Sequence, residues 1–254
     1  MSNSSLVTYT KRSPNCNVPR NHKIDTITIH HMAGNLTVEQ CGDLFANPNR
    51  QVSSNYAIGS DGRVALYVDE ANRSWCTSSP ENDHRAITIE VANDGGEPNW
   101  HVSDKALAKL IDLCVDICKR NGIKKLNYTG DKSGNLTMHK WFAATGCPGP
   151  YLSSKFPYIA AEVNKRLTAS ELPVLDKTGY VKGKKTIGVL TYKEWLIFAK
   201  EKGYIKQGVK EDECFGEGTE KATNELLKKW GYKQTGIAGA NLIKRLKKEV
   251  AKLK

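Results

Sequence analysis

IDTITIH (residues 24–30) and AITIEVAN (residues 86–93) alternate apolar and polar side chains and read as two half-buried strands. Ile27 and Ile29 face one way in the first; Ile87, Ile89 and Val91 do so in the second. Thr28 and His30 then share the other face of one strand, and Thr88, Glu90 and Ala92 the other face of the second. Working outward, Thr37 and Gln40 have capping-box spacing ahead of CGDLFA and predict a short helix. NYAIGSDGRVALYV (residues 55–68) is two apolar runs joined through Asp-Gly, a hairpin signal. Ser103 as N-cap and Gly122 as terminator bracket a long helix whose buried stripe is Leu107, Leu110, Ile111, Cys114 and Cys118. Residues 127–151, rich in Gly, Thr, Asn and Pro, read as a loop, and a helix around 157–167 closes the domain. Strands with helices between them predict an α/β domain, a central mixed β-sheet flanked by helices.

The stretch TASELPVLDKTGY (residues 168–180) changes character and reads as a linker. Beyond it, three helical patterns (Thr191 to Lys202, Thr219 to Trp230, Ala240 to Lys252) predict a small, mainly helical C-terminal domain. The expected organisation is therefore 1–168, a linker at 169–178, and 179–254. The net charge of +11 is uneven: residues 1–168 carry 19 Lys and Arg against 16 Asp and Glu, residues 169–254 carry 19 against 11. A basic tail calls for an anionic partner, whether nucleic acid, membrane surface or acidic wall polymer. No apolar run is long enough to span a bilayer, so no membrane insertion is expected. The N-terminus lacks the apolar core of a signal peptide. The expectation is a product made in the cytoplasm that reaches any external target only after release. Seven cysteines without a secretory signal argue against a disulfide framework. Cys41, Cys114 and Cys118 fit core packing.

Two histidines and a cysteine stand out for their chemistry. His30 closes TITIH, and His139 and Cys147 lie eight residues apart in MHKWFAATGCPG. Two imidazoles and one thiolate suit Zn²⁺, with a fourth position open for water. By residue type and spacing alone the trio reads as ordinary surface or core residues rather than as a metal site. Cys147 and His139 could also act as a thiol–imidazole pair. Alternation adds that His30 and Glu90 project from the same face if their strands share a sheet. Glu90 is then either a base beside a metal or a carboxylate on a solvated strand face. His31, adjacent to His30, points the other way and is the weaker ligand candidate. His84 reads as a surface residue near the cleft mouth, and Trp141 and Phe142 as either groove lining or core.

The order ITIHH, NYAIGSDG, AITIEVAN and MHKWFAATGCPG resembles the zinc amidase family shared by phage lysozyme-type amidases and peptidoglycan recognition proteins, over roughly residues 20–168. The resemblance implies cleavage of the bond between N-acetylmuramic acid and L-alanine. It implies zinc ligation by His30, His139 and Cys147. Tyr56 matches the family's active-site tyrosine, and Glu90 the strand carboxylate of the Gram-positive phage branch. Thr145 stands where relatives carry Lys or Thr, and would help hold the oxyanion. A non-catalytic recognition protein is the alternative, but such proteins typically lose the cysteine ligand.

FGEGTEKATNELLKKWGYKQTGIAGANLIKRL (residues 215–246) is similar to the peptidoglycan-binding modules of wall hydrolases, though it lacks the usual Pro in both turns. Gly216 and Gly239 are expected in tight turns and Thr219 as a helix cap. The implied partners are bacterial peptidoglycan and its associated anionic wall polymer. Nucleic acid is not expected, because the basic residues form no recognised reader motif.

Overall fold

The computed structural model describes residues 2–168 and 179–251. In chain order the elements are β1 (Tyr9–Thr10), β2 (Cys16–Asn17), β3 (Thr26–His31), α1 (Val38–Ala46), β4 (Tyr56–Ile58), β5 (Val64–Leu66), β6 (Arg73–Ser74), α2 (Pro80–Arg85), β7 (Ala86–Val91), α3 (Asp104–Asn121), β8 (Leu136–Met138) and α4 (Gly149–Thr168). The C-terminal part adds α5 (Ile187–Glu201), α6 (Glu217–Lys229) and α7 (Ala240–Ala251). The chain divides into two units, Met1–Leu167 and Thr168–Lys254. The expected linker at 169–178 lies outside the described residues, as does the expected helix end at Lys252.

The two alternating strands pair directly. β3 and β7 run parallel in register, Ile27 beside Ile87, Ile29 beside Ile89, and His30 beside Glu90. They form the centre of a six-stranded mixed sheet in the order β1-β5-β4-β7-β3-β8, in which only β4 and β5 pair antiparallel. β4 and β5 are the expected Asp-Gly hairpin. A separate ribbon joins β2 to β6.

One face of the sheet carries Ile27, Ile29, Ile87, Ile89, Val91 and Leu136, packed against the apolar sides of α3 and α4. Each fully buried isoleucine contributes roughly 1.5–3 kcal/mol by leaving water. A slip of β7 by one residue would turn Glu90 into this core, so the burial of its isoleucines also fixes the register. α3 begins and ends as expected. Ser103 accepts from the amide of Ala106, and Gly122, in the left-handed region, returns its amide to Cys118. The expected capping box of α1 is also present, with Thr37 and Gln40 exchanging hydrogen bonds.

The opposite face is covered too, but with a polar layer. Thr28 Oγ1 lies 2.8 Å from Thr137 Oγ1 and accepts from Asn82 at 3.0 Å. Thr88 Oγ1 lies 2.7 Å from Ser74 Oγ. Satisfying these buried hydroxyls keeps the layer from costing the 1–3 kcal/mol expected of each unpaired group. α1 closes the same face further along, over Ala57 and Ala65. The buried guanidinium of Arg20 donates to the carbonyls of Glu70, Asn72, His84 and Ala86, which ties the start of β7 to α2 and the loop before it.

Two expectations need correction. The segment 127–151 is not all loop, because Leu136–Met138 forms the edge strand β8 on β3. α4 begins at Gly149 rather than near 157, and carries Pro157 inside it. Three apolar-ended residues between glycines and asparagines give too short a pattern to announce a strand; pairing with β3 supplies it. All seven cysteines are free thiols, with Cys41, Cys114 and Cys118 buried as expected.

In the C-terminal unit the three helices enclose their own core around Tyr192, Leu196, Phe215, Leu226 and Leu246. Thr219 does not cap α6. The cap position is Gly216, and Thr219 is buried in the first turns, giving its carbonyl to the Thr223 hydroxyl. Of the expected turn positions, neither Gly216 (φ −92) nor Gly239 needs a left-handed backbone; Gly236 (φ +69) does.

Candidate metal centre

His30 sits at the end of β3 on the polar face and is 1% exposed. The parallel register places Glu90 beside it, with Glu90 Oε1 3.9 Å from His30 Nδ1. His139 follows β8 directly, in a 3-10 turn over His139–Trp141. The loop beyond it folds back, the amide of Lys140 donating to the carbonyl of Cys147 at 3.1 Å. That closure brings Cys147 across to His30, Sγ to Nδ1 at 3.5 Å, and the His30 and His139 rings lie 4.8 Å apart. Donor atoms of His30, His139 and Cys147 all fall within 4.8 Å of one another.

Burial disfavours the charged form of each donor, so Cys147 would give up its proton only on binding a metal. Burial, and the neighbouring His139 and His31, push His30 well below the usual histidine range. Burial lowers His139, although Asp83 opposes it. Burial and the nearby Glu90 push the Cys147 thiol far up. Burial alone raises the Glu90 carboxyl to about 8. The solvated-face reading of Glu90 is therefore excluded, since its side chain is only 13% exposed.

Nε2 of His139 and Oε2 of Glu90 are buried with no hydrogen-bond partner, while His30 turns its Nδ1 towards Cys147. Unpaired buried acceptors of this kind are costly, and a cation among them would satisfy them together. The donor set fits Zn²⁺. Bond lengths of about 2.0–2.1 Å to nitrogen and 2.3 Å to sulfur put tetrahedral N and S ligands roughly 3.6 Å apart, close to the 3.5 Å between His30 Nδ1 and Cys147 Sγ.

Reading the chain alone missed Cys76. Its thiol, His30 and Glu90 form a second group of donors within 4.8 Å of one another. Cys76 lies in a loop without periodicity, so no local pattern marks it. The buried carboxylate of Asp83 fixes it, accepting from the amides of Cys76 and Thr77 and from the Thr77 hydroxyl.

The remaining expected residues divide. Thr145 is exposed on the turn before Cys147, and its Oγ1 accepts from the Cys147 amide at 3.2 Å. His31 points away as expected, edge-on to Trp100 with ring centres 5.3 Å apart. His84 accepts from the Asn21 amide on α2 and takes no part in the donor set. Trp141 stacks with Tyr128 against the core. Phe142 lines a groove of about 590 Å³ with Thr26, Asn82, Arg85 and Thr137. This groove does not include the metal donors; it lies further back along β3 and β8, on the same sheet face.

Tyr56 is not at the site. It pairs with Ile89, whereas Ala57 pairs with Glu90, so its ring belongs to the α3 side of the sheet. There its hydroxyl donates to Glu70 Oε1 at 2.6 Å and accepts from the Ser4 amide at 2.9 Å. Arg120 and Asn121 of α3 hold the same carboxylate. Tyr56→Phe is therefore expected to cost about 1–3 kcal/mol of stability through unpaired buried groups, while turnover per folded molecule stays within twofold. A tenfold loss of turnover at unchanged stability would return Tyr56 to the reaction.

Residues 20–150 match the family model described as N-acetylmuramoyl-L-alanine amidase. Among solved structures, a mutant endolysin from Bacillus subtilis is similar at 19% identity and a TM-score of 0.49, over 64% of this chain and 99% of its own. The endolysin N-acetylmuramoyl-L-alanine amidase LysCS from Clostridium intestinale is 22% identical, with a TM-score of 0.46, over 62% of this chain and 93% of its own. The Staphylococcus aureus hydrolase AmiA, solved with its ligand, is 15% identical, with a TM-score of 0.49, over 65% and 90%. By sequence, no curated protein matches the chain.

Proposed function

The chain belongs to the N-acetylmuramoyl-L-alanine amidase family, and from that premise we propose that it is a zinc-dependent endolysin built around His30, His139 and Cys147. Its reaction is hydrolysis of the amide between N-acetylmuramic acid and L-alanine in bacterial peptidoglycan. The observation that carries the zinc assignment is the convergence of two imidazoles and a thiol, their donor atoms within 4.8 Å of one another, beside a carboxyl with an unpartnered buried oxygen. When bound, zinc lowers the pKa of a water towards neutrality and polarises the scissile carbonyl.

The chain's own residues do the rest. Glu90, held beside His30 by strand register, takes the proton of the attacking water and passes it to the leaving amine of L-alanine. Its burial excludes bulk solvent from that transfer, and the positive charge of a bound zinc would draw its pKa down and leave it ionised to accept the proton. Thr145 Oγ1 accepts from the Cys147 amide, so its hydroxyl hydrogen stays free to donate to the developing oxyanion. A neutral donor gives less than a lysine would there. The adjacent groove supplies hydroxyl, amide and charged groups with one aromatic ring, a lining suited to the polar substrate. The recognition-only alternative gains no support, because the cysteine such proteins typically lack is present.

The C-terminal unit we read as a wall-binding domain, its excess of basic residues drawn to the anionic wall. Among the described residues no helix is long and apolar enough to cross a membrane. Incubation with Gram-positive sacculi should release new N-terminal L-alanine without new reducing sugar ends, and chelation should stop the release. New reducing ends, or release that survives chelation and dialysis, would remove the zinc amidase reading.

A further inference from the structure

The end of α6 and the exposed side of α7 form a second charged feature, distant in sequence from the metal donors. Residues 226–248 hold seven Lys or Arg and no Asp or Glu, and all seven are exposed. The nearest acid before them, Glu225, is engaged elsewhere; its carboxylate accepts from the amides of Lys206 and Gln207. No acid lies within residues 226–248, and Glu249 directly follows them.

Two aromatic rings stand in the middle of this stretch, and the backbone pins them. Gly231 is left-handed (φ +75). Its amide donates to Lys228 O, and the Tyr232 amide donates to Leu227 O at 2.8 Å. This pair of bonds is the Schellman ending of a helix, and it fixes Trp230 and Tyr232 on either side of the glycine. From α7, Arg245 lays its guanidinium 4.9 Å from the centre of the Trp230 ring and 5.9 Å from that of Tyr232. Arg245 also donates to Trp230 O at 3.3 Å. A guanidinium stacked in this way loses its rotational freedom but keeps outward N–H groups. That is the preorganised form that recognises an oxyanion by paired hydrogen bonds.

We propose that the Trp230–Arg245–Tyr232 stack and its surrounding lysines form a docking surface for the phosphodiester-linked polymer of the bacterial wall. The choice of phosphodiester polymer rests on charge: seven exposed cations with no acid among them complement a ligand that repeats one negative charge. Peptidoglycan stem peptides carry amines as well as carboxylates and would be repelled in part. The inference rests on the wall-lytic reading above for where the ligand is met, not for its chemistry.

The test is titration calorimetry of the full-length protein with soluble poly(glycerol phosphate), which an amidase cannot cut. Binding is expected to weaken as salt rises from about 50 to 200 mM, because cations on the protein displace counterions from the polyanion. Arg245→Ala is expected to lose tenfold or more in affinity. Lys244→Glu with Lys248→Glu, two exposed positions whose change leaves the helix core alone, is expected to lose at least as much. Absence of binding overturns the proposal, as does affinity unchanged in both variants. Equal or tighter binding of a charge-matched DNA duplex also overturns it, in favour of a nucleic-acid surface. Muropeptide hydrolysis by the same unsubstituted preparation reports the amidase reading separately. A chain that cuts muropeptide but ignores the polymer fails here alone.

Discussion

Glu90→Gln is expected to lower muropeptide turnover by about 10²–10⁴-fold, the usual worth of a positioned general base, while one zinc per chain stays bound. Glutamine keeps the shape of the side chain and can still hydrogen-bond, but it cannot accept the proton of water at neutral pH. The metal should stay because His30, His139 and Cys147 form a complete donor set without the carboxyl. Near-normal turnover in this variant would take Glu90 out of the mechanism. The same substitution has a signature in the chelated protein. The Glu90 carboxyl is raised from 4.5 to about 8 by burial. Between those values the unfolded chain has released a proton that the folded chain retains, so stability falls as pH rises through the window. Chelated Glu90→Gln protein has no such proton to lose. Its advantage over the parent is expected to grow from pH 4.5 to about 8 in thermal melts.

Cys147→Ser is expected to abolish both zinc binding and turnover, whereas Cys76→Ser keeps one zinc per chain. Losing a partner that merely supports a ligand costs about 10–100-fold in metal affinity; losing the thiolate ligand itself costs more. The contrast decides between the two overlapping donor groups that share His30. If Cys76 and Glu90 were the ligands, the carboxylate would be committed to the metal and no base would remain beside the water. Zinc retained by Cys147→Ser and lost by Cys76→Ser, read by metal analysis on dialysed protein, would reverse the assignment. A protein that binds zinc in neither variant would show instead that both thiols are needed.

The proposed metal donors were legible because each lies beside a pattern. His30 ends a strand whose alternation assigns its face, and the loop of His139 and Cys147 carries a motif that resembles a family. Tyr56 was misplaced by that resemblance although the counter-signal was present. Tyr56 and Ile58 are two apart on a strand, so alternation alone puts the tyrosine with the isoleucine, on the core face, where the structure has it. Cys76 gave no signal, since a loop residue acquires its neighbours only from the elements that Asp83 and the sheet bring around it.

The sequence by itself determined the α/β class, the apolar face of each central strand, the caps of α1 and α3 and a set of side chains whose type suits zinc. All of these follow from short-range periodicity, capping chemistry and ligand type, which a linear chain displays directly. Only the tertiary structure decided that β3 and β7 are in register, so that His30 meets Glu90. The same holds for the strand character of Leu136–Met138, for the arrival of Cys76 beside His30 and Glu90, and for the seating of Arg245 against two rings that follow α6. Strand neighbours and helix pairings are settled by burying apolar surface across long sequence separations, and no local pattern carries that choice.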